Sequence, residues 1–172
     1  TGRNGKGTLI LFASGNDPYP WVVYPGWFSR FMSIGGSTDQ DRRWQSSAFG
    51  HDIDLVAPSL DILTTSVGGG YGRTSGTSFA TPMVAGVVAL IASANPKLTA
   101  DSIRAILELT ADKIGGYGYE EEREHGGWSP YTGYGRVNAG RAVRMAAGLP
   151  QSDPDRLIWP RGGEELRPEG SY

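Results

Sequence analysis

The longest apolar run in the chain, residues 83–92, is built of Met, Val, Ala, Gly, Leu and Ile with no polar face at helical spacing. A helix that is apolar all round belongs in a core. The run is too short to be a membrane span before polar Ser93 and the Asn95-Pro96 stop. Pro82 marks a start close by, because proline is tolerated best in the first turn, where N–H groups have no intrahelical partner. The helix is therefore predicted to open near Thr77 or Ser78. Ser78 would then sit at the positive end of the helix dipole. The commonest role of a serine there is a plain N-cap.

The remaining pattern alternates short strands with amphipathic helices. Residues 8–13, "TLILFA", form an apolar run between Gly7 and Gly15, as a buried parallel strand would. Residues 31–34, "FMSI", precede a Gly35-Gly36 turn, and residues 53–57 and 62–66 are strand candidates around Pro58. A second helix is predicted over residues 100–110, with Thr99 as N-cap and a stripe of Ile103, Ile106, Leu107 and Thr110. A third, residues 137–147, is closed by Gly148 and Pro150. From Gln151 the chain turns to proline, glycine and charge, so residues 1–150 are read as the domain and 151–172 as a polar tail. The fold class predicted is α/β, with a parallel sheet.

Composition narrows the function classes. A chain of 172 residues suits one domain. Its 26 glycines are about twice the usual share, many of them in turn-like pairs. A formal charge of -2 offers no basic footprint for nucleic acid. There is no cysteine, which excludes disulfides and thiolate metal sites. Neither a leader nor a membrane-spanning segment is read, so neither nucleic acid nor membrane is expected as a partner.

In open α/β sheets, function collects at the carboxyl ends of the strands. Two such ends stand out: "ASGN", residues 13–16, after the first apolar strand, and "SGTS", residues 75–78, at the helix opening. A nucleophilic serine needs exposure, a base and donors for an oxyanion. The helix start offers Ser78 exposure and its own backbone donor, and the Asn16 amide offers a second donor without an acid. Taken singly, Asn16 before Asp17-Pro18 is a turn residue and Ser78 a cap.

Together with "GTSFATPMVAG", "FASGN", "DIDLVAPS", the segment running from "YPGWFSRFMSIGG" to "WQSSAFG", and "GYGRVNAGRAV", all in order, they make the chain resemble the subtilisin-like serine proteases. The resemblance covers residue 5 to about residue 147. It implies a subtilisin-like parallel sheet with helices on both faces, Ser78 as nucleophile and Asn16 as oxyanion donor. It also implies Ala13, Ser14 and Gly15 as one wall of a substrate pocket, Val23 near its floor, and Gly76 and Thr77 in the substrate-binding set beside the nucleophile. Tyr24-Pro25 becomes a candidate cis bond. Phe79 stands where methionine is more usual in the family.

The family's chain order is acid, histidine, serine. Here the fifteen residues before Asn16 hold neither aspartate nor histidine. The chain is therefore expected to be the C-terminal part of a catalytic domain, with N-terminal strands and helices missing. A partner segment would supply the acid and the histidine, and the chain alone would be inactive. The missing cover should leave one edge of the first strand unpaired and part of the apolar helix bare. His51 in "FGHDIDL" is read as a turn residue, with Asp52 and Asp54 as the polar face of a half-buried strand rather than a metal site. His125 is read as solvated, and residues 120–122 as an acidic loop. The residues themselves name no cofactor; the resemblance allows structural calcium and suggests an extracellular setting. Three readings stand: a serine endopeptidase acting on peptides or proteins and completed by a partner segment, a non-catalytic peptide-binding relic, and a lone serine hydrolase with an improvised base.

Overall fold

The computed structural model describes residues 2–151. The tail proposed from Gln151 onward lies, Gln151 apart, outside the described residues. Three parallel strands form the sheet in the order β1 (Leu11–Ala13), β2 (Met32–Ser37), β3 (Leu55–Pro58). Leu11 pairs with Met32, and Ile34 with Leu55. Two antiparallel hairpins lie outside this sheet, β4 (Ile62–Thr65) with β5 (Tyr71–Thr74) and β6 (Glu121–Arg123) with β7 (Gly126–Trp128). The helices are α1 (Thr77–Ala94), α2 (Ala100–Leu109) and α3 (Ala139–Ala146). The α/β class with a parallel sheet is as expected.

Helix α1 lies against all three strands, and α2 and α3 pack onto α1. The core is filled from both layers by Met32, Ile34, Leu55, Val84, Ile91, Ile103, Leu107 and Trp128. Each buried side chain of this size contributes about 1.5–3 kcal/mol. The other side of β2 meets the loop carrying Ser47, whose Oγ accepts from the Gly36 N–H at 2.9 Å. Thr99 caps α2 by accepting from the Ser102 N–H at 3.1 Å, and Asn138 caps α3 through the Arg141 N–H at 2.9 Å.

Several expectations are corrected. Gly35-Gly36 is no turn: both glycines lie inside β2, every residue of which is buried. A Cβ on Gly36 would stand 2.1 Å from the Ser59 Oγ, so the glycine is there for close approach. The first strand is short and only partly buried rather than covered on both faces. Helix α1 is not buried all round. Ala80, Val84, Val87 and Ile91 are buried, while Leu90 is 55% exposed and Met83 is exposed beside it. By length and composition α1 could cross a membrane, but its packing on the sheet makes it a core helix with one bare face. Pro82 is its sixth residue, beyond the first turn, so its missing N–H removes the bond to the Ser78 carbonyl. The acidic loop predicted at residues 120–122 is in part the strand β6, exposed at Glu121 and Glu122. The Tyr24–Pro25 bond is cis, as expected.

The two edges of the sheet differ. Residues 134–137 close the β3 edge: Tyr134 N–H donates to the Asp54 carbonyl (2.8 Å), Val56 N–H to Gly135 (2.9 Å) and Val137 N–H to Val56 (3.0 Å). Along β1 the outer edge has no strand beside it among the described residues.

Candidate active site

The two strand-end motifs meet at the start of α1. Gly76 is the N-cap position, which makes Ser78 the second helical residue and not the cap. The loop before it is seated on the end of β3, with the Gly76 N–H donating to the Ser59 carbonyl at 2.9 Å. Ser59 in turn donates its N–H to the Ser37 carbonyl at 3.0 Å, at the end of β2. The motif is thus held at the carboxyl ends of neighbouring strands.

Gly76 has no side chain to cap the helix, and Asn16 serves from the end of β1 instead. Its Oδ1 accepts from the Thr77 N–H and from the Thr77 hydroxyl, each at 2.8 Å. Only an oxygen can accept from these donors, so they settle which way the amide faces. Oδ1 is bound to Thr77, and Nδ2 remains as a donor. That Nδ2 lies over the helix start, 3.4 Å from where a Cβ on Gly76 would stand, an ordinary contact distance. Thr77, only 1% exposed, also accepts from the Gly15 N–H at 3.3 Å. One buried hydroxyl therefore ties both motifs together.

Ser78 itself is exposed, and neither its hydroxyl nor its N–H has a hydrogen-bond partner among the described residues. There is no acidic residue in the first turn to offset the positive helix end. The result is a free hydroxyl beside a free backbone donor, with a side-chain amide held against the preceding residue.

Ala13, Ser14, Gly15 and Val23 are also brought together. The Val23 N–H donates to the Ser14 carbonyl and the Ala48 N–H to the Gly15 carbonyl, both at 2.9 Å. Ser14 is buried, its hydroxyl near the Ser47 hydroxyl at 3.4 Å. Gly15 adopts φ 117, and a Cβ there would approach Val23 Cγ1 to 2.8 Å. The glycine keeps the strip opposite Val23 open.

Neither histidine joins this site. His51 is exposed, its Nδ1 3.1 Å from Asp52 Oδ1. His125 is not solvated as expected: its side chain is 20% exposed and its Nδ1 lies 2.5 Å from Glu108 Oε2. Asp54 is likewise not on a polar strand face. It precedes β3 and points inward, accepting from the Ser33 N–H at 2.6 Å and pairing with Arg104 at 2.5 Å. Burial pushes the Asp54 carboxyl up to about 6, although Arg104 and the Ser33 N–H oppose the rise. Burial alone would lower the Arg104 guanidinium, but the Asp54 and Glu108 carboxylates outweigh it and hold it above its ordinary value. Both directions describe one buried pair that stays together at the cost of its own hydration. Among the described residues no three His, Asp or Glu side chains gather to hold a metal, so the calcium suggested by resemblance finds no such cluster here.

The model of the subtilase family matches residues 1–135. Thermitase of Thermoactinomyces vulgaris is 37% identical over 139 residues, covering 81% of this chain and 45% of its own. The thermophilic serine proteinase of Bacillus sp. (strain AK1) is 36% identical over 138 residues, covering 80% of this chain and 31% of its own. Among solved structures, the Prenylagaramide maturation protease PagA superposes with TM-score 0.70 and 27% identity, over 83% of this chain and 52% of that one. The chain thus spans less than half the length of these curated relatives. A family model across most of the domain, together with the two strand-end motifs meeting at one helix start, leads to one conclusion: this chain belongs to the subtilase family.

Proposed function

We propose that this chain carries the nucleophile and oxyanion half of a serine endopeptidase site, completed by a segment that supplies the histidine and the aspartate. The observation that carries the proposal is the Thr77–Asn16 contact, which holds the asparagine amide beside an exposed, unpartnered Ser78. In the reaction, the Ser78 Oγ bonds to the scissile carbonyl carbon as its proton passes to the supplied imidazole. The carbonyl oxygen becomes an oxyanion, held by Asn16 Nδ2 and the Ser78 N–H. Collapse expels the amine, which takes the proton back from the imidazole. Water then releases the acyl group by the same steps in reverse order. Ala13, Ser14, Gly15 and Val23 would line the pocket for the residue before the scissile bond, and Gly76 and Thr77 would complete the substrate-facing loop. Protein or peptide substrates and an extracellular setting follow from the family resemblance.

A lone hydrolase using His51 or His125 has nothing in its favour, since both imidazoles are engaged with carboxylates away from Ser78. A pure peptide-binding module would need neither the free hydroxyl nor the oriented amide. Complementation tests the proposal. The chain is produced alone and together with a segment bearing the family's acid and histidine motifs. Peptide hydrolysis and serine-directed fluorophosphonate labelling are then followed. The chain alone should be inert, and the assembled protein should hydrolyse peptide and label at Ser78. Robust hydrolysis by the chain alone, or an assembled protein that labels elsewhere, overturns it.

A further inference from the structure

The oxyanion donors fix where a substrate side chain must go. With the scissile carbonyl oxygen about 3 Å from Asn16 Nδ2 and from the Ser78 N–H, the residue that carries it has its side chain on the neighbouring carbon. The backbone just ahead of Asn16, at Ser14 and Gly15, is within that side chain's reach. Gly15 offers no side chain of its own. Behind it stands Val23, which is 40% exposed and so faces open space rather than the core.

The strip that Gly15 keeps open is narrow. The place a Cβ would take on Gly15 lies 2.8 Å from Val23 Cγ1 and 3.5 Å from both Val23 Cγ2 and Ala48 Cβ. Carbon atoms in contact stand about 3.5–4.0 Å apart, so a side chain can rest on these methyl groups but cannot pass between them and Gly15. Nor is the floor free to give way. The Val23 N–H donates to the Ser14 carbonyl and the Val23 carbonyl accepts from the Gly26 N–H, both at 2.9 Å, and Val22 beside it is fully buried. The Val23 side chain is β-branched and has little rotamer freedom. Gly15 is held as firmly, its N–H by Thr77 Oγ1 at 3.3 Å and its carbonyl by the Ala48 N–H at 2.9 Å. The Ser14 hydroxyl is buried and turned to the Ser47 hydroxyl and the Ala48 carbonyl, each at 3.4 Å. The floor is thus made of methyl groups and satisfied backbone, with no group to pair a charge.

Resting on the reading of Ser78 and Asn16 as nucleophile and oxyanion donor, we propose that Val23 is a specificity-determining residue. It makes the pocket for the residue before the scissile bond shallow, so that the site takes an uncharged side chain of about the size of alanine and rejects large aromatic and long basic ones. A completing segment cannot deepen this floor, because its atoms are added to a pocket whose depth is set by Gly15, Val23 and Ala48.

Three peptides, identical except for Ala, Phe or Lys before the scissile bond, test this on the assembled protein. The Ala peptide should exceed the other two in kcat/KM by about tenfold or more. Val23→Gly should raise the Phe peptide relative to the Ala peptide by about tenfold, and Val23→Ala should move the same ratio in the same direction by a smaller factor. The Lys peptide should gain less than the Phe peptide, since removing methyl groups supplies no partner for its charge. Equal cleavage of the Ala and Phe peptides by the unaltered protein overturns the proposal, and so does a preference that neither Val23 variant moves. A fluorophosphonate that places no side chain in the pocket reports on Ser78 separately. If Ser78 labels and the peptides are cut without regard to size, the size limit alone fails. If Ser78 does not label, the reading of the site fails and the size limit falls with it.

Discussion

The two edges of the parallel sheet are made of similar apolar sequence and have opposite fates. At β3, residues 134–137 add ladder hydrogen bonds, and Trp128 is buried with its indole N–H satisfied by the Ile53 carbonyl. At β1, the outer backbone edge has no strand beside it among the described residues, and Ile10 is 43% exposed. The bare face of α1, with Met83 and Leu90, extends the apolar surface. Of the two residues proposed for the site, Asn16 follows the open-edge strand β1, whereas Ser78 opens α1 after a loop seated on the end of β3. An open row of N–H and C=O groups beside apolar side chains is a place for another segment to pair.

That contrast can be sharpened by mutation, read on the assembled protein. The largest effect belongs to Ser78→Ala. Turnover should fall by about 10⁶, the factor known from subtilisin, with assembly and melting temperature unchanged. A variant that retains full activity would remove Ser78 as the nucleophile.

Trp128→Ala strikes the closed edge. It empties a large buried site and leaves the Ile53 carbonyl without its donor. The expected loss is about 3–5 kcal/mol in denaturant unfolding. A loss under about 1 kcal/mol would mean that the closed edge is not where stability resides.

Asn16→Ala returns to the open side and should cost about 10²–10³ in turnover, again the size known from subtilisin, because the Ser78 N–H remains as a donor. Stability should also fall, by about 1–2 kcal/mol, because the buried Thr77 donors lose their acceptor. A kinetic loss confined to KM would instead make Asn16 a binding residue.

Smallest of all is Ile10→Lys measured on the chain alone. With no strand beside it, the substitution should change stability by less than about 0.5 kcal/mol and reduce aggregation. A large destabilisation would show that the β1 edge is already covered in the free chain.

Much of the fold follows from local pattern. The stripe at Ile103, Ile106 and Leu107 and the Thr99 cap were legible because period and capping chemistry are written within a few residues, whereas Asn138, read inside the third helix, turns out to be its cap. Gly35-Gly36 was not, because a glycine pair reads as a turn unless the approach of Ser59 and Ser47 from distant loops is known. The β6–β7 hairpin was hidden in the same way. "EEREH" has the composition of a solvated loop, and the hairpin is held by Ile53, Lys113 and Glu108, which lie elsewhere in the chain.

For the site, the sequence by itself determined which groups are available: a serine at a helix opening, an asparagine after a strand, and glycines around both. Only the tertiary structure decided how they are used. The direction of the Asn16 amide is set by two donors on Thr77, 61 residues away. The inward turn of Asp54 is set by Arg104, and the engagement of His125 by a glutamate buried on α2. Periodicity and capping act over a few residues and leave a trace in the order of the chain. Hydrogen bonds and charges act over a few ångströms, and which residues come that close is settled only when the chain is folded.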